Sequence, residues 1–421
     1  MKKLSSNRIV LSVYAAGSLL AACGAPQPIG LPTALPQAPA VGPGRAIVHH
    51  IGAAYYRVLY KFRSFGYDAR GPLASLIDVK GTLYGTTVDG GAYTNGGTVF
   101  SIKPTGKHEQ VLHSFGNGSD GISPAAGLLN VNGTLYGTTS FGGAYGTASG
   151  GGGTVFSIQP TGKQEQVLHS FGSGSDGALP FAGLLDVNGT LYGTTRDGGT
   201  YGYGTVFSIS TTGTEHVLYS FAGEPDGALP DAGLIDVKGT LYGATANGGS
   251  SNCMGGCGTV FSISTTGTEH VLYRFLAGTD GWIPAVSLLD VKGTLYGTTQ
   301  AGGGHNNPGT VFSVSRTGTE QVLYRFGVGS DGDRPLSSLI NVHGTLYGTT
   351  VAGGAYGTAT GTGGTVFSIR PSGKHEQVLH SFGTRSDGEG PEAALIDLNG
   401  TLYGTTCCGA LGDGTVFALS P

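Results

Sequence analysis

The chain reads as an all-β protein: a seven-bladed β-propeller with four strands per blade, closed by pairing of an N-terminal strand with the C-terminal blade. Three observations predict this. The string Gly-Thr-Leu-Tyr-Gly-(Thr/Ala)-Thr occurs seven times, with its tyrosines (Tyr84, Tyr136, Tyr192, Tyr242, Tyr296, Tyr347 and Tyr403) spaced 50–56 residues apart. Four strand-like segments surround each copy. No apolar period of 3.6 residues follows the N-terminal segment, so no helix is expected. A repeat of this length with four strands is the signature of a propeller blade, whereas β-solenoid repeats are shorter and lack tight hairpins.

Within each unit the first segment is Leu-(Leu/Ile)-(Asp/Asn)-(Val/Leu), as at Leu184 to Val187. An Asn-Gly, Lys-Gly or His-Gly pair follows, such as Asn188-Gly189. Asn-Gly between apolar runs is the strongest short hairpin signal. The second segment, Thr-Leu-Tyr-Gly-Thr-Thr, is rich in β-branched and aromatic residues. The third is Gly-Thr-Val-Phe-Ser-(Ile/Val), as at Gly204 to Ile209, and the fourth is Val-Leu-(His/Tyr)-x-Phe, as at Val217 to Phe221. The central Gly of Leu-Tyr-Gly is expected to mark close approach between neighbouring blades.

The last unit stops after its third segment, Gly414 to Leu419, while an extra fourth-type segment, Val58 to Phe62, precedes the first unit. Residues 57–62 are therefore expected to pair with 414–419, closing the ring and removing its two free edges. The expected blades are about 72–115, 124–171, 180–221, 230–275, 284–326, 335–382, and 391–421 with 55–65, making a propeller of residues 55–421.

Composition supports this reading. Gly is 80 of 421 residues without a Gly-X-Y period, which excludes collagen, and apolar β-formers recur among the glycines, which argues against disorder. Only 11% of residues are charged, with a formal net charge of −4, so there is no basic footprint for nucleic acid and none is expected as a partner.

Residues 1–23 read as a lipoprotein signal peptide. A basic start (Lys2, Lys3, Arg8) leads into a short apolar run that ends Leu20-Ala21-Ala22-Cys23. This ending looks like the lipobox of bacterial lipoproteins, which implies that Cys23 carries the lipid and the membrane is a partner through that anchor. Gly24 follows instead of the Asp of an inner-membrane retention signal, so an outer-membrane lipoprotein is expected. Residues 24–54, with six prolines among Ala, Gly and Gln, read as a semi-rigid tether.

Across residues 57–421 the motif set resembles the Gloeo/Verruco (GloVer) tandem repeat family. The matching elements are Leu-Tyr-Gly-Thr-Thr, Gly-Gly, Gly-Thr-Val-Phe and Ser-Phe…Asp-Gly…Pro. Unit one departs with Asp68-Ala69-Arg70-Gly71 in place of Asp-Gly. The resemblance implies an exported bacterial repeat protein and carries no assigned activity.

Candidate chemistry is sparse. An Asp precedes Gly in six units (Asp120, Asp176, Asp226, Asp280, Asp331 and Asp387), with Pro four residues on. A ring of carboxylates could bind cations or sugar hydroxyls, but turn chemistry also demands Asp, Gly and Pro in this order, and that reading is preferred. The Gly-Gly loops vary in length and carry Tyr93, Tyr145, Tyr201, Tyr203 and Tyr356. Rigid aromatics on loops suit sugar stacking or protein contact. Cys253 and Cys257 bracket one such loop and are expected to form a disulfide in an exported chain. Cys407 and Cys408 are adjacent, and their redox state is left open. A four-Cys zinc site is not expected, because units four and seven stand apart around the ring. His113, His169 and His380 interchange with Tyr at one strand position, which reads as packing. No catalytic residue, metal or cofactor is assigned.

Two functions compete, with a purely structural envelope role as a third reading. One is a monomeric, lipid-anchored envelope module binding a polysaccharide or protein through its loop face. The other is a propeller lyase or hydrolase acting on polysaccharide. An enzyme should break the repeat with unique charged residues, and the visible breaks are small: Arg196, Trp282, Arg334 and Glu389.

Overall fold

The computed structural model describes residues 54–421 apart from 64–67, 94–95, 147–150, 358–362, 385 and 410–412. Cys23, the signal segment and the tether up to residue 53 lie outside the described residues.

The seven repeats form seven antiparallel four-stranded sheets arranged as a propeller, with no helix among the described residues. Blade three shows the plan. Its strands are Leu185–Val187, Thr190–Thr195, Thr205–Ser210 and Glu215–Ser220, hydrogen-bonded in chain order from the axis outward. The first hairpin places Asn188 at φ 54° and Gly189 at φ 85°. Two consecutive left-handed residues define a type I′ turn, whose twist matches that of the strands it joins. Asp186 Oδ1 accepts the Gly189 N–H at 2.9 Å and fixes the turn. The same turn recurs in every blade, with Lys80, Asn132, Lys238, Lys292, His343 or Asn399 first.

The central Gly serves its own blade, not the neighbouring one. Gly193 lies opposite Phe207 across the second and third strands, and a Cβ there would stand 2.5 Å from the Phe207 ring. The close approach is therefore cross-strand, because the aromatic ring folds over the glycine.

Contact between blades rests on a belt of buried phenylalanines. The Phe at the end of each outer strand meets the third-strand Phe of the next blade, as in Phe171–Phe207 at 5.0 Å and Phe221–Phe261 at 5.1 Å between ring centroids. Around each pair sits one apolar cluster shared by two blades, such as Val131, Tyr136, Val155 and Phe171 with Leu184, Leu191 and Phe207. Buried second-strand threonines add hydrogen bonds across the junctions, for example Thr194 Oγ1 to the Ala232 carbonyl at 3.1 Å. In blade four Ala244 takes the place of this Thr.

The ring closes as the offset register requires. Tyr55–Lys61 is the outer strand of blade seven, antiparallel to Thr415–Ser420, with Tyr55 opposite Ser420 and Lys61 opposite Thr415. Phe62 then meets Phe100 of blade one at 5.2 Å, and Phe382 of blade six meets Phe417 at 5.3 Å. The belt is thus continuous through the seam.

Two faces result. The two tight hairpins of each blade lie on one face, and the Gly-Gly and Asp-Gly loops lie on the other. Tyr55 and Ser420 stand at the hairpin end of blade seven, so the chain enters and leaves the propeller on the hairpin face.

Candidate functional site

The repeated Asp residues are engaged by their own turns. Asp120 Oδ1 accepts the N–H groups of Gly116 and Asn117 at 3.0 Å each, and its Oδ2 lies 3.2 Å from His113 Nε2. Tyr219, Tyr273 and Tyr324 donate their hydroxyls to Asp226, Asp280 and Asp331 at 2.9, 3.0 and 2.7 Å. His and Tyr interchange at this position because both can bond the Asp, a more specific reason than packing. Unit one has the same device despite its divergent sequence: Tyr60 donates to Asp68 at 3.2 Å. At Asp387 burial pushes the carboxyl up, but hydrogen bonds from His380 and Thr384 outweigh it and hold the group below its usual range.

A second repeated carboxylate faces these pairs from the next blade. Glu376 accepts from Tyr324 at 3.3 Å. Burial raises Glu215, Glu269, Glu320 and Glu376 to about 7 and Glu109 to about 6, with the neighbouring Asp adding to each. At the seam Tyr56 takes this place. Its ring stacks on His380 at 3.7 Å, and its hydroxyl donates to the Asp387 carbonyl.

The loop tyrosines lie on the outer part of the loop face. Tyr93, Tyr145, Tyr201, Tyr203 and Tyr356 are all exposed, and none lines the axial cavity. Tyr356 borders a surface cleft with Tyr56 and Arg57 at the seam. Cys253 and Cys257 are joined as a disulfide, with Cα atoms 5.1 Å apart, and Cys407 is paired with its neighbour Cys408. Among the described residues no cluster of three or more His, Cys, Asp or Glu could hold a metal ion.

The repeat does break where the seven blades converge. The residue before each strand-initiating Pro is left-handed in every blade: Gly71, Ser123, Leu179, Leu229, Ile283, Arg334 and Gly390, with φ between 54° and 64°. For the non-glycine residues this is a strained backbone, held in place by the surrounding fold. The residue after each Pro comes to the axis, as do several of those that follow Thr-Thr. Together they line a cavity of about 330 Å³ on the loop face.

Copies are not conserved in kind along this lining. The position after Pro holds Leu73, Ala125, Phe181, Asp231, Ala285, Leu336 and Glu392. Arg196, Gln300 and Arg334 join them. Arg196 Nη1 lies 3.7 Å from Asp231 Oδ2, and its guanidinium sits 5.5 Å from the centre of the Phe181 ring. Burial raises Asp231 to about 6, with Arg196 opposing and Asp197 reinforcing the rise. Glu392 rises to about 7 through burial, with Arg334 opposing. Asp231 Oδ1 and Arg334 Nε and Nη2 are buried with no hydrogen-bond partner in the protein. A smaller axial pocket of about 160 Å³ adjoins this cavity and is lined partly by small residues such as Ser75, Gly127, Gly183 and Ser287.

Of the four breaks visible in the sequence, the structure brings Arg196 and Arg334 to this cavity. Trp282 and Glu389 sit on short backbone ladders beside the mouth, paired with Ala301 and Cys408. Asp231 and Glu392 do not stand out in the sequence while the repeated Pro is read only as a strand start. The signal that finds them is the residue directly after the repeated Pro, compared across all seven units.

The family model for the Gloeobacter/Verrucomicrobia repeat matches residues 43–256 and 253–421. No curated protein matches the chain. Among solved structures the chain is similar to a putative 6-phosphogluconolactonase from Bacteroides uniformis ATCC 8492 (14% identity, TM-score 0.47, 77% of this chain and 88% of that one). It is also similar to an oligogalacturonate lyase in complex with manganese (10% identity, TM-score 0.47, 87% and 96%). A third likeness is to a gluconolactonase from Xanthomonas campestris (14% identity, TM-score 0.42, 72% and 87%).

Proposed function

The chain belongs to the Gloeobacter/Verrucomicrobia repeat family, and from that footing we propose that it is a ligand-binding module of the cell envelope whose site is the axial cavity of the loop face. The observation that carries this is where the repeat breaks. Positions that build strands, turns and the phenylalanine belt are copied in every blade, while the axial positions hold Phe181, Arg196, Asp231, Arg334 and Glu392, each different from most of its counterparts. Polar groups converging in a concave pocket with apolar walls suit a small ligand or the end of a larger one. The exposed loop tyrosines offer a surrounding platform for the rest of a polysaccharide or protein. Export and lipidation at Cys23 would place the module on the outer membrane.

Substitutions already tolerated by the fold can test the site. Leu and Phe occupy the position after Pro in blades one, three and six, so an Ala125→Phe/Ala285→Phe double variant fills the cavity with residues the scaffold accepts elsewhere. The propeller domain would be screened against glycans and cell-wall fragments. Binding lost in the cavity variant but kept in a Tyr93/Tyr145/Tyr356→Ala variant is the expected result. Binding that survives cavity filling would move the site to the loops.

Asp231 and Glu392 favour a second reading. Carboxyls held near pH 6–7 are in the range useful for general acid–base catalysis. Under this reading a bound polysaccharide fragment is also cleaved, and Asp231→Asn would abolish product while retaining binding.

A further inference from the structure

We infer that the axial cavity takes a ligand bearing a carboxylate, gripped in a two-point hydrogen bond by the Nε–Nη2 edge of Arg334. This rests on the reading of the cavity as a binding site and adds to it the chemistry of what binds.

The geometry of one guanidinium carries the inference. Arg334 lines the cavity from blade six. Its Nε and Nη2 are both buried and without a hydrogen-bond partner. These atoms share one edge of the guanidinium, and their parallel N–H groups match the two oxygens of a carboxylate. Leaving such donors buried and unpaired is costly, so they are placed for a group that arrives from outside the protein. Arg196 differs in this respect, since Asp231 already faces it. Arg334 acts electrostatically on two carboxylates of the protein, its chain neighbour Asp333 and Glu392 on the next blade, and among the described residues no ion pair joins it to either.

The same cavity has a complementary need. Asp231 Oδ1 is buried and accepts no hydrogen bond. A ligand that places a carboxylate on Arg334 and turns a hydroxyl toward Asp231 satisfies both. The apolar ring of Phe181 and the aliphatic walls of Leu73, Ile283 and Leu336 would flank the carbon skeleton. A cavity of about 330 Å³ suits one sugar-acid residue, free or at the end of a chain.

The test uses matched pairs: glucuronate against glucose, and N-acetylmuramate against N-acetylglucosamine, titrated calorimetrically into the propeller. At least one acid should bind more tightly than its neutral partner. Arg334→Gln should weaken the acid by about 10- to 100-fold, the scale for losing hydrogen bonds to a charged group, and weaken the neutral sugar by far less. Arg334→Lys, which keeps charge but loses the fork, should recover only part of that loss. Melting temperature, read on each variant, separates loss of binding from loss of fold. Equal binding of acid and neutral partners, blocked by the Ala125→Phe/Ala285→Phe variant, would overturn the carboxylate inference and leave the cavity reading intact. Binding of neither member of either pair overturns the inference, and the wider fragment screen then decides the cavity reading alone.

Discussion

The two faces of this propeller are built from the same seven repeats and have diverged to different degrees. On the hairpin face each blade ends in a type I′ turn whose first residue varies only among Asn, Lys and His. On the loop face the residue after each Pro ranges from Ala to Phe to Glu, and the Gly-Gly loops differ in length. The difference follows from what each position must do. A turn with two left-handed residues tolerates few side chains, and a belt phenylalanine must fill the space left by its glycine. An axial side chain points into a cavity, so no packing partner dictates its shape. Divergence is concentrated where the packing of the blades sets the fewest demands, and the cost of burying polar groups there is a cost a bound ligand can offset.

The comparison can be broken or sharpened by experiment. The largest effect should come from deleting residues 55–65, which removes the outer strand of blade seven. Both faces should fail together, with loss of a single cooperative melting transition. A retained sharp transition by calorimetry would mean that the seam does not hold the ring. Next in size, Phe207→Ala empties a fully buried belt position and should destabilise by about 3–5 kcal/mol in chemical denaturation. The same change at Phe261 should cost a similar amount, since both belong to copied structure.

A smaller effect is expected on the hairpin face. Gly189→Val forces a β-branched residue to φ 85°, which should cost about 1–2 kcal/mol in denaturant titration and leave binding at the loop face untouched. Reduced binding in that variant would show that the faces are coupled.

The smallest effect concerns pH and separates copied from unique carboxyls. Glu215, Glu269, Glu320 and Glu376 at the junctions, like Asp231 and Glu392 at the axis, hold their protons more tightly in the folded state than in the unfolded chain. Their contribution to stability is therefore fully present below the ordinary carboxylate range and is lost as pH rises through about 6–7. Melting temperature should fall over that interval. Glu376→Gln should flatten the fall slightly without altering binding, whereas Glu392→Gln should flatten it and change affinity as well. A melting temperature that rises from pH 5 to pH 7 would contradict both assignments.

The fold was almost wholly legible because every blade carries its own copy of the evidence. Asn188-Gly189, Phe207 and the missing fourth strand after Leu419 each announce a structural task through local sequence. Unit one is the exception that tests this: Asp68 lacks its Gly yet still accepts the Tyr60 hydroxyl. The site was half legible. Arg196 and Arg334 stand out because charge is rare in this chain. Asp231 and Glu392 do not, because the position after Pro has no consensus for them to violate. Only closure brings blades three, four, six and seven to one axis, and the sequence order of Arg196, Asp231, Arg334 and Glu392 gives no hint of that meeting.

The strand that closes the ring also sets the face on which the chain joins the propeller. Tyr55 enters on the hairpin face, opposite the axial cavity. Any chain attached at Tyr55 therefore reaches the propeller on the uniform face and leaves the mouth of the cavity uncovered.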